Sequence, residues 1–211
     1  MSFLENGNAD AVFFCSDEKL NIFLIGDSIR LGYEDTLKKE LSDVAHIISP
    51  AENCCNSQNI ITGLNFWSNM IDFPDKIDTV HFNCGHWDVA HWLGYKTSLT
   101  SESEYEKNIQ MIIDLIRIIF PNSKIVFATT TPINPQNLSG TNARSNDEID
   151  RYNAIAVKVA NENGVLVNDL NSYAKGFDSN NYVDYCHYTK KACELLGKAV
   201  ADYIKEVYYK N

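Results

Sequence analysis

Near the start of the chain stands the stretch Ile22-Phe23-Leu24-Ile25-Gly26-Asp27-Ser28, a short apolar run that ends in a polar turn. A continuous apolar run of this length is typical of a strand buried on both faces of a parallel sheet. Residues 32–41 follow with a helical pattern that places Leu37 and Leu41 on one face. A buried strand that passes directly into a helix is the repeating unit of α/β proteins, so this stretch predicts the first such unit.

The same alternation of apolar runs and amphipathic stretches continues along the rest of the chain. Ser101 and Glu104 form a predicted capping box at the start of the clearest helix, and Gly164 stands where a helix C-terminal cap belongs. Strands that alternate with helices predict a parallel sheet with helices on its faces. The further predicted strands lie at 44–48, 77–83, 124–128 and 165–167, a polar loop lies at 129–144, and the further helices lie at 60–70, 102–120 and 189–209, with one more that Ser145 or Asn146 caps and that runs to 163.

Length and composition indicate one globular domain. The 211 residues, 45% of them hydrophobic, can build a core without disulfides or a structural metal. No repeat, low-complexity tract or linker divides the chain, so we expect a single domain over residues 1–211, with 1–20 as an N-terminal extension. No apolar run approaches the roughly 20 residues of a membrane span, and the start has no secretory signal pattern. We therefore expect a cytoplasmic protein without a membrane span.

Charge and cysteine content argue against two classes of function. A formal net charge of −10 and a pI near 4.9 are unlike those of a nucleic-acid-binding surface. No two cysteines have the C-x-x-C spacing of a zinc site, and a domain of this size does not need disulfides. We expect reduced cysteines, no bound metal and no nucleic-acid partner. The six cysteines are Cys15, Cys54, Cys55, Cys84, Cys186 and Cys193.

Ser28 is a candidate nucleophile because of its place after the first predicted strand. Ligands bind at the carboxyl ends of the strands in open parallel sheets. A strand-to-helix turn can expose a serine Oγ and set backbone N–H groups beside it. Serine also caps helices very often, and Gly26-Asp27-Ser28 alone does not separate the two interpretations. The spacing of Gly26 and Gly32 matches neither a dinucleotide-binding motif nor a P-loop.

A base and its partner stand near the other end of the chain, in Asp184-Tyr185-Cys186-His187. A nucleophilic serine needs a base, and that base needs a partner that fixes its tautomer and stabilises its imidazolium form. Asp184 and His187 can supply both functions from one loop. Cys186 as a thiol nucleophile is the rival interpretation, and it is disfavoured because a residue adjacent to the base points elsewhere.

Gly26-Asp27-Ser28 after the first strand, together with Asp184-x-x-His187 before the last helix, resembles the SGNH (GDSL-like) serine hydrolase family, in a divergent branch. The resemblance runs from about Asn21 to Ile204. It implies a three-layer α/β/α sandwich of the flavodoxin-like kind, with a mostly parallel five-stranded sheet. It also implies a catalytic triad of Ser28, His187 and Asp184 that needs no metal and no cofactor.

The resemblance is weaker in the family's second block, which normally supplies a glycine N–H to the oxyanion hole. The corresponding stretch, 51–57, contains no glycine. The chemistry needs only a backbone amide, so Cys55 or Asn56 can still serve, and Cys55 is the expected donor beside Ser28. The alternative interpretation is a plain loop in which Asn56 or Ser57 caps the next helix.

The third block of the family is normally Gly-x-Asn-Asp, and its asparagine side chain donates to the oxyanion. Here the stretch reads Gly85-His86-Trp87-Asp88, so Trp87 occupies the asparagine position. An indole N–H donates but differs in reach and bulk. Asn83, at the end of the same strand, is expected to supply the missing amide, with Asn53 as a second candidate.

Flat side chains crowd the segment after the third strand and suit stacking against a sugar ring or lining a short acyl pocket. We expect Asn53, His86 and Trp87 to contact the substrate. Arg30 is expected to be a solvated helix side chain, and Arg144, in the loop after the fourth strand, receives no role. The flat side chains are His86, Trp87, His91 and Trp92.

By resemblance, the expected activity is that of a carboxylic ester hydrolase, a serine esterase similar to the acetylesterases. Its substrate would be a short acyl ester, above all an O-acetyl ester, on a carbohydrate or a small metabolite. Acyl transfer, or thioester or lysophospholipid hydrolysis, through the same triad stays open. So does a non-catalytic binding domain on the same fold, because the missing block glycine and Trp87 depart from the family pattern.

Overall fold

The computed structural model describes residues 12–138 and 142–209. The strands in these ranges are β1 (Leu20–Ile25), β2 (Ala45–Ile48), β3 (Thr79–Phe82), β4 (His91–Trp92), β5 (Lys124–Ala128), β6 (Asn142–Ala143) and β7 (Leu166–Asn168). The α-helices are α1 (Ser28–Glu40), α2 (Ser57–Ser68), α3 (Glu102–Ile119), α4 (Asn146–Glu162), α5 (Leu170–Ala174) and α6 (Lys190–Tyr209). Short 3₁₀ turns lie at Pro74–Lys76, Pro135–Asn137 and Ser179–Asn181. The predicted 1–20 extension lies partly outside the described residues.

Five strands form one sheet in the order β2-β1-β3-β5-β7, and each neighbouring pair is parallel. Counted along the chain, these strands have the order 2-1-3-4-5, which is the flavodoxin-like arrangement. The predicted sheet is confirmed in strand number and direction. Its first predicted strand is β1, which lies between β2 and β3 and is buried over nearly its whole length.

Alternate residues of β1 point to opposite faces of the sheet and into two separate cores. Phe23 and Ile25 pack into the core under α2, α3 and α4. Ile22 and Leu24 pack into the core under α1, α5 and α6. The continuous apolar run thus serves both faces at once, and the predicted three-layer sandwich is confirmed.

Helix ends follow the capping residues. Capping boxes are present at Ser101 with Glu104 and at Ser145 with Glu148. Gly164 has a φ of +63°, the left-handed conformation of a C-terminal cap. The first helix begins at Ser28 and not near Gly32 as the sequence pattern predicts, because the side chain of Asp27 caps it by accepting the Ile29 N–H at 2.9 Å.

The polar loop at 129–144 is less irregular than the sequence predicts. Its end forms β6, which pairs antiparallel with β4 in a small second sheet. No described helix is both long and apolar enough to cross a membrane. All six cysteines are free.

Two distant parts of the chain meet beside the carboxyl end of β1. Helices α1 and α6 pack against each other along the same face of the sheet. The loop that leads into α6 therefore lies next to the first turn of α1. This contact brings the Asp184–His187 stretch to the start of the helix that Ser28 opens.

Candidate active site

A line of hydrogen bonds connects Ser28, His187 and Asp184. The Ser28 Oγ lies 2.9 Å from Nε2 of His187. The other ring nitrogen, Nδ1, lies 2.7 Å from Oδ2 of Asp184. Both distances are those of good hydrogen bonds. The structure thus brings together the three residues that the family resemblance predicts as a catalytic triad.

Asp184 fixes its own loop as well as the imidazole. Its Oδ1 accepts the backbone N–H groups of Cys186 at 2.8 Å and His187 at 2.7 Å. Burial raises the pKa of this carboxyl, but the hydrogen bonds from His187 and Cys186 outweigh burial and hold the pKa below its usual value. The ionised carboxylate accepts the Nδ1–H of His187, which leaves Nε2 as the acceptor that faces Ser28.

The three side chains lie at an open surface. The side chains of Asp184 and His187 are each 44% exposed, and Ser28 is half-buried. A substrate can therefore reach the Ser28 Oγ without a large rearrangement of the chain.

The turn that carries Ser28 is closely packed. The Asp27 carboxyl is buried, and burial raises its pKa although the Ile29 N–H, the Asn83 amide and nearby arginines lower it. A Cβ on Gly26 would lie 2.1 Å from Oδ1 of Asn83 and 2.6 Å from Cβ of Arg30. Glycine at position 26 is therefore required by the close approach of Asn83 and the first turn of α1.

The second predicted block adopts a conformation that glycine would favour. Cys55 has a φ of +54°, in the left-handed region. Its N–H donates to Oδ1 of Asn53 at 2.8 Å, so in this structure the predicted oxyanion donor already has an acceptor. The side chain of Asn53 thus holds this turn, and its contact with a substrate stays a prediction.

The third predicted block divides between the protein interior and the surface. Trp87 is half-buried, and its ring centroid lies 5.1 Å from that of Trp92. His86 is buried, with Nε2 3.2 Å from Oγ1 of Thr131 and Nδ1 3.4 Å from Nη1 of Arg144. Burial, with the charges of Arg144 and His187, puts the pKa of His86 well below its usual value, so this imidazole is neutral.

No model of a known protein family matches the sequence, and no curated protein matches it. Solved structures do match. A lipase/acylhydrolase from Enterococcus faecalis is 19% identical, with a TM-score of 0.71 over 89% of this chain and 96% of that one. A carbohydrate acetylesterase from Sinorhizobium meliloti is 14% identical, with a TM-score of 0.69 over 90% and 100% of the two chains. A GDSL-like lipase from Bacteroides thetaiotaomicron is 15% identical, with a TM-score of 0.65 over 89% and 88%.

The chain has the SGNH hydrolase fold. At these identities the likeness concerns the path of the backbone and assigns no role to any residue. Within the SGNH fold, the candidate site lies at the carboxyl end of β1, an interior strand between β2 and β3, where open parallel sheets bind their ligands.

Asp88, which closes the third block, connects that block to α2 of the SGNH fold. Its carboxylate accepts the Ser57 N–H and the Ser57 Oγ–H, the latter at 2.5 Å. These bonds fix the start of α2 and so the position of the preceding turn with Cys55. Asp88 and Ser57 lie 31 residues apart along the chain, so no local sequence pattern reports this contact.

Cys186 is unsuited to be a nucleophile in this site. Burial raises the pKa of its thiol to about 12, so the reactive thiolate is absent near neutral pH. Ligand atoms of Asp184, Cys186 and His187 lie within 4.8 Å of one another, the spacing of a possible metal site. In this structure the carboxylate and Nδ1 are hydrogen-bonded to each other.

The structure contradicts the expectation that Arg30 is a solvated side chain. Arg30 is fully buried and forms an ion pair with Glu34 one helical turn away. Its Nη2 donates to the carbonyl oxygen of Glu52 at 2.6 Å and to that of Gly26 at 3.3 Å. Arg30 thus ties the turn that carries Ser28 to the loop that carries Cys55. Sequence pattern alone missed this contact because both partner carbonyls belong to loops.

Replacing Arg30 by methionine should lower the free energy of unfolding by about 3–5 kcal/mol, because removal of one partner leaves a buried charge unpaired. Glu34 retains Lys38 and Ser49, which places the expected loss toward the lower end of this range. Urea unfolding measures the change. Arg151→Met, which removes one exposed ion pair with Glu102, is the matched control and should stay within about 1 kcal/mol of wild type. A loss below about 1 kcal/mol for Arg30→Met would show that the pair is not stabilising.

Cys55→Gly should raise the free energy of unfolding of this SGNH fold by up to about 1 kcal/mol. A non-glycine residue in the left-handed region costs about 1–2 kcal/mol, which glycine avoids. Part of this gain is lost because glycine increases the conformational entropy of the unfolded chain. Thermal unfolding should show a Tm higher by about 2–4 °C. Cys193→Gly puts the same replacement inside α6 and should lower stability by at least about 1 kcal/mol. A lower Tm for Cys55→Gly would contradict the strain at this turn.

Proposed function

We propose that the protein is a serine hydrolase that cleaves carboxylic esters with Ser28 as its nucleophile. The observation that carries the proposal is the unbroken line of hydrogen bonds from the Ser28 Oγ through His187 to Asp184. Nucleophile, base and orienting carboxylate are the three parts that acyl transfer through serine needs. They lie at the open carboxyl end of β1, within reach of a substrate.

The reaction proceeds in two halves. Ser28 Oγ attacks the ester carbonyl while Nε2 of His187 takes the hydroxyl proton, and Asp184 stabilises the imidazolium that forms. When the tetrahedral intermediate collapses, His187 gives this proton to the leaving alcohol and the acyl group stays on Ser28. Water then attacks the acyl-enzyme with His187 again as base, which releases the acid and restores the serine.

The oxyanion of the tetrahedral intermediate needs donors that are aimed at it. The N–H of Ser28 belongs to the first residue of α1, where helical N–H groups have no helical acceptor and the helix dipole favours negative charge. We propose the Cys55 N–H as the second donor, released when the Asn53 side chain turns away from it. The Asn83 amide, packed against Gly26 beside Asp27, is the proposed third donor.

The proposed substrates are short acyl esters, above all O-acetyl esters, on a carbohydrate or a small metabolite. The half-buried Trp87, whose ring is tilted by 41° against that of Trp92, offers a flat surface on which a sugar ring can lie. One protein with a similar backbone is a carbohydrate acetylesterase, which agrees with this proposal. A cytoplasmic location remains a prediction from the sequence.

The experiment combines labelling with a chain-length series. A fluorophosphonate probe should modify the Ser28 peptide, as seen by mass spectrometry. p-Nitrophenyl acetate and butyrate should be hydrolysed faster than the octanoate. Hydrolysis no faster than in buffer, or a label on another residue, would overturn the proposed activity. A fastest rate on the octanoate would overturn only the preference for short acyl groups.

A further inference from the structure

Arg144 is a buried cation beside the proposed triad. It stands between β6 and the Ser145 cap of α4, and only 7% of it is exposed. Its guanidinium lies over the ring of Tyr185, with 5.2 Å between the central carbon and the ring centroid. Tyr185 directly follows Asp184 in the loop that carries His187, so the charge of Arg144 lies next to the reacting groups.

No carboxylate of the described residues lies within ion-pair distance of Arg144, and its buried Nε has no hydrogen-bond partner. Its contacts are long and go to three acceptors without charge. They are Nδ1 of His86 at 3.4 Å, the Tyr185 hydroxyl at 3.2 Å and the Asn142 carbonyl oxygen at 3.5 Å.

These neighbours do not neutralise the guanidinium. Burial holds His86 in its neutral form and raises the pKa of Tyr185, so both rings are uncharged near neutral pH. The charge of Arg144 reaches the buried Asp27 carboxyl, but that carboxyl lies beyond ion-pair distance. A buried charge without a partner is costly and is found where a ligand supplies the partner.

We propose that Arg144 binds a carboxylate carried by the substrate, so that the preferred ester is anionic. The proposal rests on the proposed esterase function and specifies its substrate class. A guanidinium presents parallel N–H donors that match the two oxygens of a carboxylate. Tyr185 accepts from Arg144 and can donate its own hydroxyl proton to the same carboxylate. Because the chain carries a net charge of −10, which repels anions at long range, a local cation is what an anionic substrate needs.

The carboxylate can belong to either side of the ester bond. On the acyl side, the substrate is a half-ester of a dicarboxylic acid. On the alcohol side, it is an acetyl ester of a hydroxy acid or an acidic sugar. In both kinds of ester Arg144 binds a carboxylate, but that carboxylate lies at a different distance from the scissile carbonyl. Two pairs of probe esters therefore distinguish the two kinds of substrate.

The acyl-side pair is p-nitrophenyl hemisuccinate and its neutral methyl ester. The alcohol-side pair is 4-acetoxybenzoate and its methyl ester. Each kcat/KM is divided by the second-order rate constant of the same compound with an added thiolate, which measures its intrinsic reactivity toward an external nucleophile. Spontaneous hydrolysis is not used for this purpose, because the free carboxylate of the hemisuccinate attacks its own ester. For one pair, wild type should prefer the carboxylate by about tenfold or more, as charge-assisted hydrogen bonds of this kind can give. Arg144→Gln should abolish that preference, and Arg144→Lys should retain part of it.

Two controls separate binding from folding. Arg117→Gln removes an exposed arginine and should leave the preference unchanged. Because Arg144→Gln can disturb the loop of His187, the Tm of this variant is compared with that of wild type. Its preference is the ratio of kcat/KM for the carboxylate to kcat/KM for the methyl ester, both measured on the same variant. A preference that persists in Arg144→Gln, or a wild type without any preference, would overturn the proposal.

A binding measurement keeps this result independent of turnover. Succinate or 4-hydroxybenzoate should raise the Tm of Ser28→Ala, while their neutral methyl esters should not. The protection should disappear in the Ser28→Ala, Arg144→Gln double variant. If esters are hydrolysed equally with and without Ser28, the proposed function fails. If hydrolysis depends on Ser28 but neither carboxylate is preferred or protects, only the role of Arg144 fails.

Discussion

Replacing Ser28 by alanine should lower kcat for ester hydrolysis by about 10⁴-fold or more. The residual rate is set by the oxyanion donors and by substrate binding. Alanine removes the atom that attacks the carbonyl and leaves His187 and Asp184 hydrogen-bonded to each other. Because Asp27 caps α1 and Ser28 does not, the substitution should leave the start of the helix intact. Steady-state kinetics on p-nitrophenyl acetate measure the loss.

Ser42→Ala is the matched control, since this serine is exposed beyond the end of α1. Its rate should stay within about twofold of wild type, and both variants should unfold at nearly the same temperature. A Ser28→Ala protein that is folded and still hydrolyses the ester at the wild-type rate would rule out Ser28 as the nucleophile. A lower rate together with a lower Tm would point to disturbed folding. In that case the fluorophosphonate label on wild type tests directly whether Ser28 is the nucleophile.

Under the proposed mechanism, Asp184→Asn should lower kcat by about 10⁴-fold, as the equivalent change does in serine hydrolases with a triad. Oδ2 of the carboxylate accepts the Nδ1–H of His187 at 2.7 Å. An amide NH₂ at that place donates instead, so the imidazole turns to the tautomer that carries its proton on Nε2. That tautomer cannot accept the proton of Ser28. The same p-nitrophenyl acetate assay measures the effect, and Asp202→Asn, on the exposed face of α6, is the control.

The difference in stability between wild type and Asp184→Asn should depend on pH. The pKa of Asp184 is lowered in the folded chain, so its carboxylate contributes stability above the pKa of the unfolded chain. This contribution is lost as the pH falls through the folded pKa. The Tm of wild type should therefore exceed that of Asp184→Asn near pH 7, and the gap should close in acid. A gap that widens in acid would contradict the hydrogen bonding assigned to Asp184.

The sheet was predictable from the sequence because its strands are short apolar runs that serve two cores. Ile22 and Phe23 point to opposite faces, so neither position tolerates a polar residue, and the run stands out against its polar turns. The caps at Ser101 and Ser145 were predictable for a similar reason, since their partners lie three residues away. Signals of this kind are local and survive without tertiary information.

The surroundings of the triad were less predictable because they depend on contacts between distant segments. A charged arginine in the first turn of a helix is normally exposed to solvent, so the sequence predicts an exposed Arg30. The structure buries Arg30 fully against the 51–57 loop. Arg144 lies in a polar loop, and its burial depends on the pairing of β6 with β4. The strain at Cys55 is a backbone angle, which no side-chain pattern reports.

The meeting of α1 and α6 has a consequence for synthesis of the protein. Ser28 and His187 stand 159 residues apart, and the helix that opens with the serine is completed only by packing against the helix that follows the histidine. On the ribosome the proposed nucleophile therefore emerges long before its proposed base. A nascent chain can fold much of its sheet and still be unable to attack any metabolite in the cell. Under the proposed mechanism, catalytic activity reports the arrival of the last helix, and a chain cut short before residue 187 should be chemically silent.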